Sequence, residues 1–222
     1  MSEPKPTQPR KKRSLLNLLL GLVLLLLLVA FLAIFLVTQR PGFYRDAADR
    51  NREKLRDDAC AFSKKGQGFF SDVWSDRAQP IDITDDEVNG YLAAVNDPEI
   101  WKQLDIQFES WRKPFVSDWL RNVQVSFRDG RVTVAGEVTC HDYDLVLSVV
   151  GVPRCDAEGK ARLQVTSIRA GLLPLPKFLF RDFLKDIDDR PIQAKFSRWR
   201  LRSVDIKDGK AVLNGEIVEE KK

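Results

Sequence analysis

The sequence has few of the side chains that build catalytic or metal sites. It contains one histidine, His141, and three cysteines, Cys60, Cys140 and Cys155. His141 directly follows Cys140, so on a strand the two side chains point to opposite faces and do not form a nucleophile and its base. A zinc site would need thiols and carboxylates at a recognised spacing, which the sequence lacks. We therefore expect no catalytic residues, no metal ligands and no cofactor.

Sequence motifs of known chemistry are also missing. There is no Gly-x-Ser-x-Gly elbow, no P-loop and no dinucleotide fingerprint, so a hydrolase is the least favoured class of function. Asp142, Asp144 and Asp156 carry the oxygens that calcium prefers, but without the regular spacing of a calcium loop. Solvated turn residues are the better interpretation of these carboxylates.

The cysteines are too few for a disulfide scaffold. Cys140 and Cys155 either pair with each other, which leaves Cys60 single, or all three remain thiols. We expect no obligatory disulfide.

The excess of positive charge is confined to the N-terminus. The chain has 36 basic and 32 acidic residues. The tail through Ser14 holds five of the bases and one of the acids, so the remainder holds 31 of each. A neutral remainder argues against nucleic acid as a partner.

A long apolar run follows this tail. Residues 15–37 are apolar, glycine or alanine except for Asn17, and about 20 such residues suffice to cross a hydrocarbon core. A cleavable signal peptide would have a shorter apolar region and a small-residue cleavage site. The run therefore predicts an uncleaved transmembrane helix.

The flanking charges set the expected orientation. Five bases precede the run, whereas Arg40 and Arg45 follow it and are soon joined by acidic residues. By the positive-inside rule, the N-terminus is cytoplasmic and the rest of the chain is translocated. We expect a single-pass cell-membrane protein with four parts: a disordered tail (1–14), a transmembrane helix (15–37), a juxtamembrane helix (41–65) and an extracytoplasmic α+β domain (66–222).

Helical patterns follow the span. Apolar and small residues recur every three or four positions from Tyr44 to Phe62, and residues 64–68 are predicted to be a loop. Thr84 and Glu87 then match a capping box, which predicts a helix that starts there and ends near Pro98. The aromatic segment that holds Trp101, Trp111 and Trp119 is expected to be core, with a lipid- or polysaccharide-binding surface as the alternative.

The remaining pattern is largely strand. Valines alternate on both sides of Asp129 and Gly130, which predicts a hairpin, and further strands are expected at 145–150 and 161–168. Residues 204–217 repeat the pattern of residues 125–138, including the Asp-Gly turn and a later glycine. Either the hairpin is a true repeat or two hairpins have converged on one turn chemistry. We expect a bent antiparallel sheet packed on helices.

An apolar, proline-containing segment lies between the two hairpins. It reads Gly171-Leu172-Leu173-Pro174-Leu175-Pro176 and leads into a predicted helix at 177–187. A helical wheel places Leu179, Phe180, Phe183, Leu184 and Ile187 on one apolar face and leaves Phe178 among polar residues. The candidate ligand-binding residues, those that the core does not need, are Leu172, Leu173, Leu175 and Phe178.

The order of these parts resembles the YpmS-like family of bacterial single-span membrane proteins of unassigned activity. The resemblance rests on four features: the anchor, the helix start at residues 83–92, the Phe127-Arg128-Asp129-Gly130 hairpin, and residues 171–176. It covers residues 81–217. The pattern is also similar to curled-sheet-on-helix domains, some of which bind lipid in an apolar groove.

The leading functional hypothesis is a non-catalytic envelope protein that binds membrane lipid or another apolar ligand close to the membrane. The alternative is a structural or assembly protein that docks an envelope protein partner. An apolar groove would favour the first hypothesis, and a filled core with a flat apolar patch would favour the second.

Overall fold

A computed structural model describes residues 11–44, 51–75, 77, 79–104, 120–140, 143–156, 159, 161–181 and 199–217. The chain is α+β, with an apolar N-terminal helix followed by two antiparallel sheets and shorter helices. The expected fold class is thus confirmed, although the strands form two open sheets, of three and five strands, in place of one.

Helix α1 spans Lys11–Thr38. Its apolar stretch has a mean hydropathy of 3.3, and none of it is buried within the protein. One N-terminal helix is therefore long and apolar enough to cross a membrane, as the sequence predicts. Most of the expected tail, residues 1–10, lies outside the described part of the chain.

Helix α2 spans Arg52–Trp74, and the side chain of Asn51 caps it by accepting a hydrogen bond from the Glu53 amide (3.0 Å). The prediction of a loop at residues 64–68 is therefore wrong. Gly66 and Gly68 each destabilise the helix by about 1 kcal/mol relative to alanine, but the helical turns that follow these two glycines have tertiary contacts. Phe69 meets the Trp199 ring edge-on at 5.0 Å, which holds the last turns in the helix.

Two shorter helices follow the first strand. Strand β1 is Ile81–Thr84, α3 is Asp85–Asn96 and α4 is Pro98–Gln103. The capping box is confirmed, because the Thr84 hydroxyl accepts from the Glu87 amide (3.2 Å) and the Glu87 carboxylate accepts from the Thr84 amide (2.9 Å). Helix α3 packs on α2, where Gly90 allows close approach to Leu55 and Ala59.

The five-stranded sheet has the order β2-β3-β4-β5-β6. Its strands are Arg121–Arg128, Arg131–Cys140, Tyr143–Cys155, Ala161–Ala170 and Leu173–Leu175. The three-stranded sheet pairs β1 with β8 (Lys210–Ile217), and β8 with β7 (Trp199–Lys207). Both predicted hairpins are therefore present.

The two Asp-Gly turns meet at the start of α3. The Asp129 amide donates to the Asp208 carboxylate (3.2 Å), and the Gly209 amide donates to the carbonyl of Phe127 (2.8 Å). The carbonyl of Gly209 in turn accepts from the Asp85 amide (3.0 Å). The second hairpin thus joins the first hairpin to the helix layer.

Strand β4 separates two of the cysteines. Cys140 pairs with Tyr143 at one end of β4, and Cys155 closes the other end. A strand of this length covers about 40 Å, whereas a disulfide needs Cα atoms within about 7 Å. Cys60 and Cys155 are free thiols, so the possible pairing of Cys140 with Cys155 does not form.

Candidate functional site

The turn between β5 and β6 closes the end of α1. The Leu172 amide donates to the carbonyl of Leu36 (2.9 Å), and the Gly171 amide donates to the carbonyl of Val146 (2.7 Å). Gly171 has a φ of +57°, and a Cβ atom there would lie 2.4 Å from the carbonyl oxygen of Val37. Only glycine fits this close approach, so Gly171 allows the five-stranded sheet to pack against the end of the apolar helix.

The four candidate residues do not form one cluster. Leu173 and Leu175 are partly buried in β6. Leu172 lies at the turn with 45% of its surface exposed, and Phe178 is 75% exposed on a 3₁₀ helix, Lys177–Phe180. Sequence reasoning therefore grouped residues from three different surroundings.

The wheel prediction for Leu179 is wrong. The wheel places this residue on the apolar face of a helix, yet its side chain is 62% exposed. The backbone here is a 3₁₀ helix with three residues per turn, so a wheel drawn for 3.6 residues per turn misplaces its side chains. Phe180 is partly buried, and Phe183, Leu184 and Ile187 lie outside the described residues.

Two rows of mostly apolar residues lie on one side of the sheet, and the first of them crosses all five strands. Directly opposed residues of antiparallel strands share a face. The first row is Val125, Val134, Val149, Ile168 and Leu175, and the second is Gly136, Leu147, Ala170 and Leu173. We call the side of the sheet that carries these rows the apolar face. Leu173 and Leu175 form its border at β6.

The opposite side of the sheet carries polar rows. They are Gln124, Ala135, Ser148, Arg169 and Pro174, and beside them Ser126, Thr133, Val150 and Ser167. We call this side the polar face. Its centre is the better buried of the two, since Gln124 is 8% exposed and Ser148 is 2% exposed.

Most of the apolar face, by contrast, is partly exposed. Ile168 and Ala170 are buried, whereas Val125, Val134, Val149, Leu147, Leu173 and Leu175 all retain accessible surface. A sheet with one solvated side normally turns its polar residues to water and packs its apolar residues inward. Strands β2, β3 and β4 depart from that pattern, whereas at β5 and β6 the polar-face residues Arg169 and Pro174 are exposed and the apolar-face residues Ile168 and Ala170 are buried.

The chain that leaves α1 packs on the polar face. Tyr44 is fully buried against Ala135 and Val146, and its hydroxyl donates to the carbonyl of Asn122 (2.9 Å). Arg40 pairs with Glu137 at 3.4 Å. Residues 40–44 therefore pair with polar groups on one face of the sheet.

Two clefts lie beside the edge strand β2, and both polar and apolar side chains line them. The larger, about 540 Å³, is lined by residues of the Asp-Gly turns and the start of α3, among them Asp85, Arg128 and Asp208. The second, about 330 Å³, lies between α3 and β2 and includes Gln124 and Glu137. Neither cleft is lined by apolar side chains alone.

Within the described part of the chain, no group of three or more histidine, cysteine, aspartate or glutamate side chains is placed to hold a metal ion. The Asp144 carboxylate, a calcium candidate in the sequence, accepts from Thr139 and Arg121 (both 2.7 Å). Asp156 pairs with Arg162 at 3.7 Å. Asp142 lies outside the described residues.

The apolar face was visible in the sequence only in part. Alternating valines at 132–138 marked one strand, but residues 145–150 are apolar on both sides apart from Ser148. Periodicity therefore could not tell which side of β4 joins the row, and only the strand register shows it. Leu147 and Val149 were missed as candidates for this reason.

No protein-family model, no curated protein and no solved structure matches this chain.

Proposed function

We propose that this protein is a non-catalytic, single-pass membrane protein that binds lipid, or another ligand with a long apolar part, on the apolar face. One observation carries the proposal: within the described part of the chain, four of the five residues of the first apolar row (Val125, Val134, Val149 and Leu175) retain accessible surface in a sheet that contacts an apolar helix. In water such a face is costly unless something covers it.

The length of the row suits an acyl chain. Five adjacent strands span about 19 Å across the sheet, and about eight covered methylene groups would contribute about 6 kcal/mol. Part of this gain is lost to ordering the chain. The ligand is then held by shape and apolar contact alone, so binding requires no catalytic or metal-binding side chains.

The orientation belongs to this proposal. The basic tail places the N-terminus in the cytoplasm and the α+β domain on the outer side of the cell membrane, in the envelope. The resemblance to the YpmS-like family remains a hypothesis that agrees with this topology.

A docking role for an envelope partner is the second candidate. Phe178 and Leu179 are consecutive, largely exposed and outside the two rows. Such a patch is typical of a protein interface. Its position on a separate helix allows the two functions to be tested apart.

Native mass spectrometry of the full chain, released from lipid nanodiscs, tests lipid binding. We expect a bound phospholipid. In the matched pair of variants, Val134→Thr with Val149→Thr adds hydroxyls to the apolar face, and Val150→Thr adds one to the polar face of the same strand. The first should lose the lipid and the second should retain it. Absence of lipid from the parent protein, or equal retention by both variants, would refute the proposal.

A further inference from the structure

The free edge of β6 has an unusual backbone. Pro174 faces Arg169 in the register. Proline has no N–H, so this pair is of the non-hydrogen-bonded type and the backbone nitrogen of Pro174 points away from β5. Residues two positions away point the same way, which places the backbone nitrogens of Leu172 and Pro176 on the same side.

No donor on this edge is left without a partner. The Leu172 amide, the first of the three, donates to the carbonyl of Leu36. Pro174 and Pro176 have no N–H to satisfy. The alternation of proline along residues 172–176 therefore removes every outward-pointing N–H that α1 does not accept.

The hydrogen bond between the Leu172 amide and the Leu36 carbonyl also sets the position of the β5–β6 turn along the axis of α1. Leu36 belongs to the last turn of the apolar run, which ends at Val37. The Leu172 backbone lies at that level, and its side chain is 45% exposed. There is no charged residue from Ala170 to Pro176.

We propose that Gly171, Leu172 and the free edge of β6 lie in the outer interface of the membrane that α1 crosses, with Leu172 against phospholipid acyl chains. Lipid cannot hydrogen-bond to a backbone N–H, so an edge strand tolerates lipid only if such donors are absent or satisfied. Protection against strand pairing would explain the prolines alone. It does not explain an exposed leucine held at the level of Leu36.

This contact is a second point of attachment to the membrane and does not depend on a ligand bound at the apolar face. It places Leu173, which follows Leu172, at the membrane surface. Lipid from that leaflet would then reach the second row at its border.

The test uses the full chain in phosphatidylcholine nanodiscs. Cys60, Cys140 and Cys155 are changed to Ser, and a single new cysteine is labelled with an environment-sensitive fluorophore. Leu172→Cys is compared with Arg154→Cys, which is exposed near the far end of β4. We expect blue-shifted emission and quenching by brominated acyl chains at 172, and quenching by aqueous iodide at 154.

Should the cysteine-free chain fail to fold, a photoreactive benzophenone amino acid at position 172 of the otherwise unchanged protein replaces the label, and the expected product is a lipid adduct. Iodide quenching at 172 equal to that at 154, or an absent adduct, overturns the inference. Lipid found by native mass spectrometry together with an aqueous residue 172 would overturn this inference alone. A residue 172 in contact with acyl chains, together with no lipid found by native mass spectrometry, would overturn only the proposed function.

Discussion

The indole of Trp199 lies directly over Gly215, so that a Cβ atom on this glycine would come within 2.1 Å of the ring. Leu120 lies over Gly136 in the same way, at 2.6 Å from such an atom. Both pairs are separated by the same distance in sequence, and they occupy equivalent positions in the two hairpins. The repeat therefore includes a packing contact that shared turn chemistry does not require.

This packing predicts that Gly215→Ala and Gly136→Ala destabilise the protein. At Gly215 the added methyl group overlaps the rigid Trp199 ring, and overpacking of this kind costs about 1–3 kcal/mol. At Gly136 it meets the end of the flexible Leu120 side chain, so the loss should be smaller. Gly66→Ala is the matched control, because nothing lies within 4 Å of that position in α2. It should instead stabilise the helix by about 0.5–1 kcal/mol. Thermal unfolding followed by circular dichroism measures all three.

The capping box at α3 predicts a smaller loss. Thr84→Ala removes the acceptor for the Glu87 amide and should lower the free energy of unfolding by about 1 kcal/mol. Thr84→Ser keeps the hydroxyl and should remain close to the parent protein. Lipid binding should be unchanged in both variants. Loss of binding with an unchanged melting temperature would show that Thr84 belongs to a site.

Local features of this fold could be read from the sequence. The apolar run, the capping box and both Asp-Gly turns depend on residues close together in the chain, and each is found where it was predicted. Gly66 and Gly68 led to the wrong prediction of a loop at residues 64–68, because the contact of Phe69 with the distant Trp199 outweighs the low helix propensity of glycine.

The candidate site was less accessible to sequence reasoning. Leu173 and Leu175 were identified as apolar residues that the core does not need, but Val134, Leu147 and Val149 join them only through strand pairings between distant segments. Nothing in the sequence shows that residues 40–44 return to cover the polar face.

Two aspartate substitutions should separate lipid binding from docking. Leu175→Asp places a charge at the border of the apolar face and should reduce the co-purified lipid measured by native mass spectrometry. Phe178→Asp alters a side chain that is already in water, so it should leave both lipid and melting temperature unchanged. If Phe178→Asp also removed the lipid, the bound ligand would extend beyond the apolar face.

The topology can be measured in a bacterial host. Alkaline phosphatase fused to the C-terminus should be active, because the enzyme matures only outside the cytoplasm. Neutral residues in place of Arg10, Lys11, Lys12 and Arg13 remove the positive flank and should yield mixed orientations. An inactive fusion of the parent chain, with an active cytoplasmic reporter at the same position, would reverse the assignment.

The thiol of Cys155 should react slowly at neutral pH. Its burial, together with the charges of Asp156 and Asp205, raises its pKa above that of a free cysteine. The reactive thiolate is therefore scarce at pH 7, and the rate of iodoacetamide modification should increase as the pH approaches the raised pKa. Peptide mapping gives the rate, with an unfolded sample as the control. Equal rates at pH 7 in folded and unfolded protein would contradict the prediction.

The backbone groups at the two edges of the five-stranded sheet limit how a second protein can bind it. At β2, the Asn89 side chain accepts a hydrogen bond from the Val125 amide (2.6 Å) and donates one to the Val125 carbonyl (2.8 Å). The Gly209 amide donates to the carbonyl of Phe127. At β6, proline and α1 remove the donors. Strand addition, in which an extended peptide continues a sheet through backbone pairing, has no template at these positions. At these positions, recognition of the sheet by another chain should therefore depend on side chains, and pairing of neighbouring copies through the strand edges should be disfavoured.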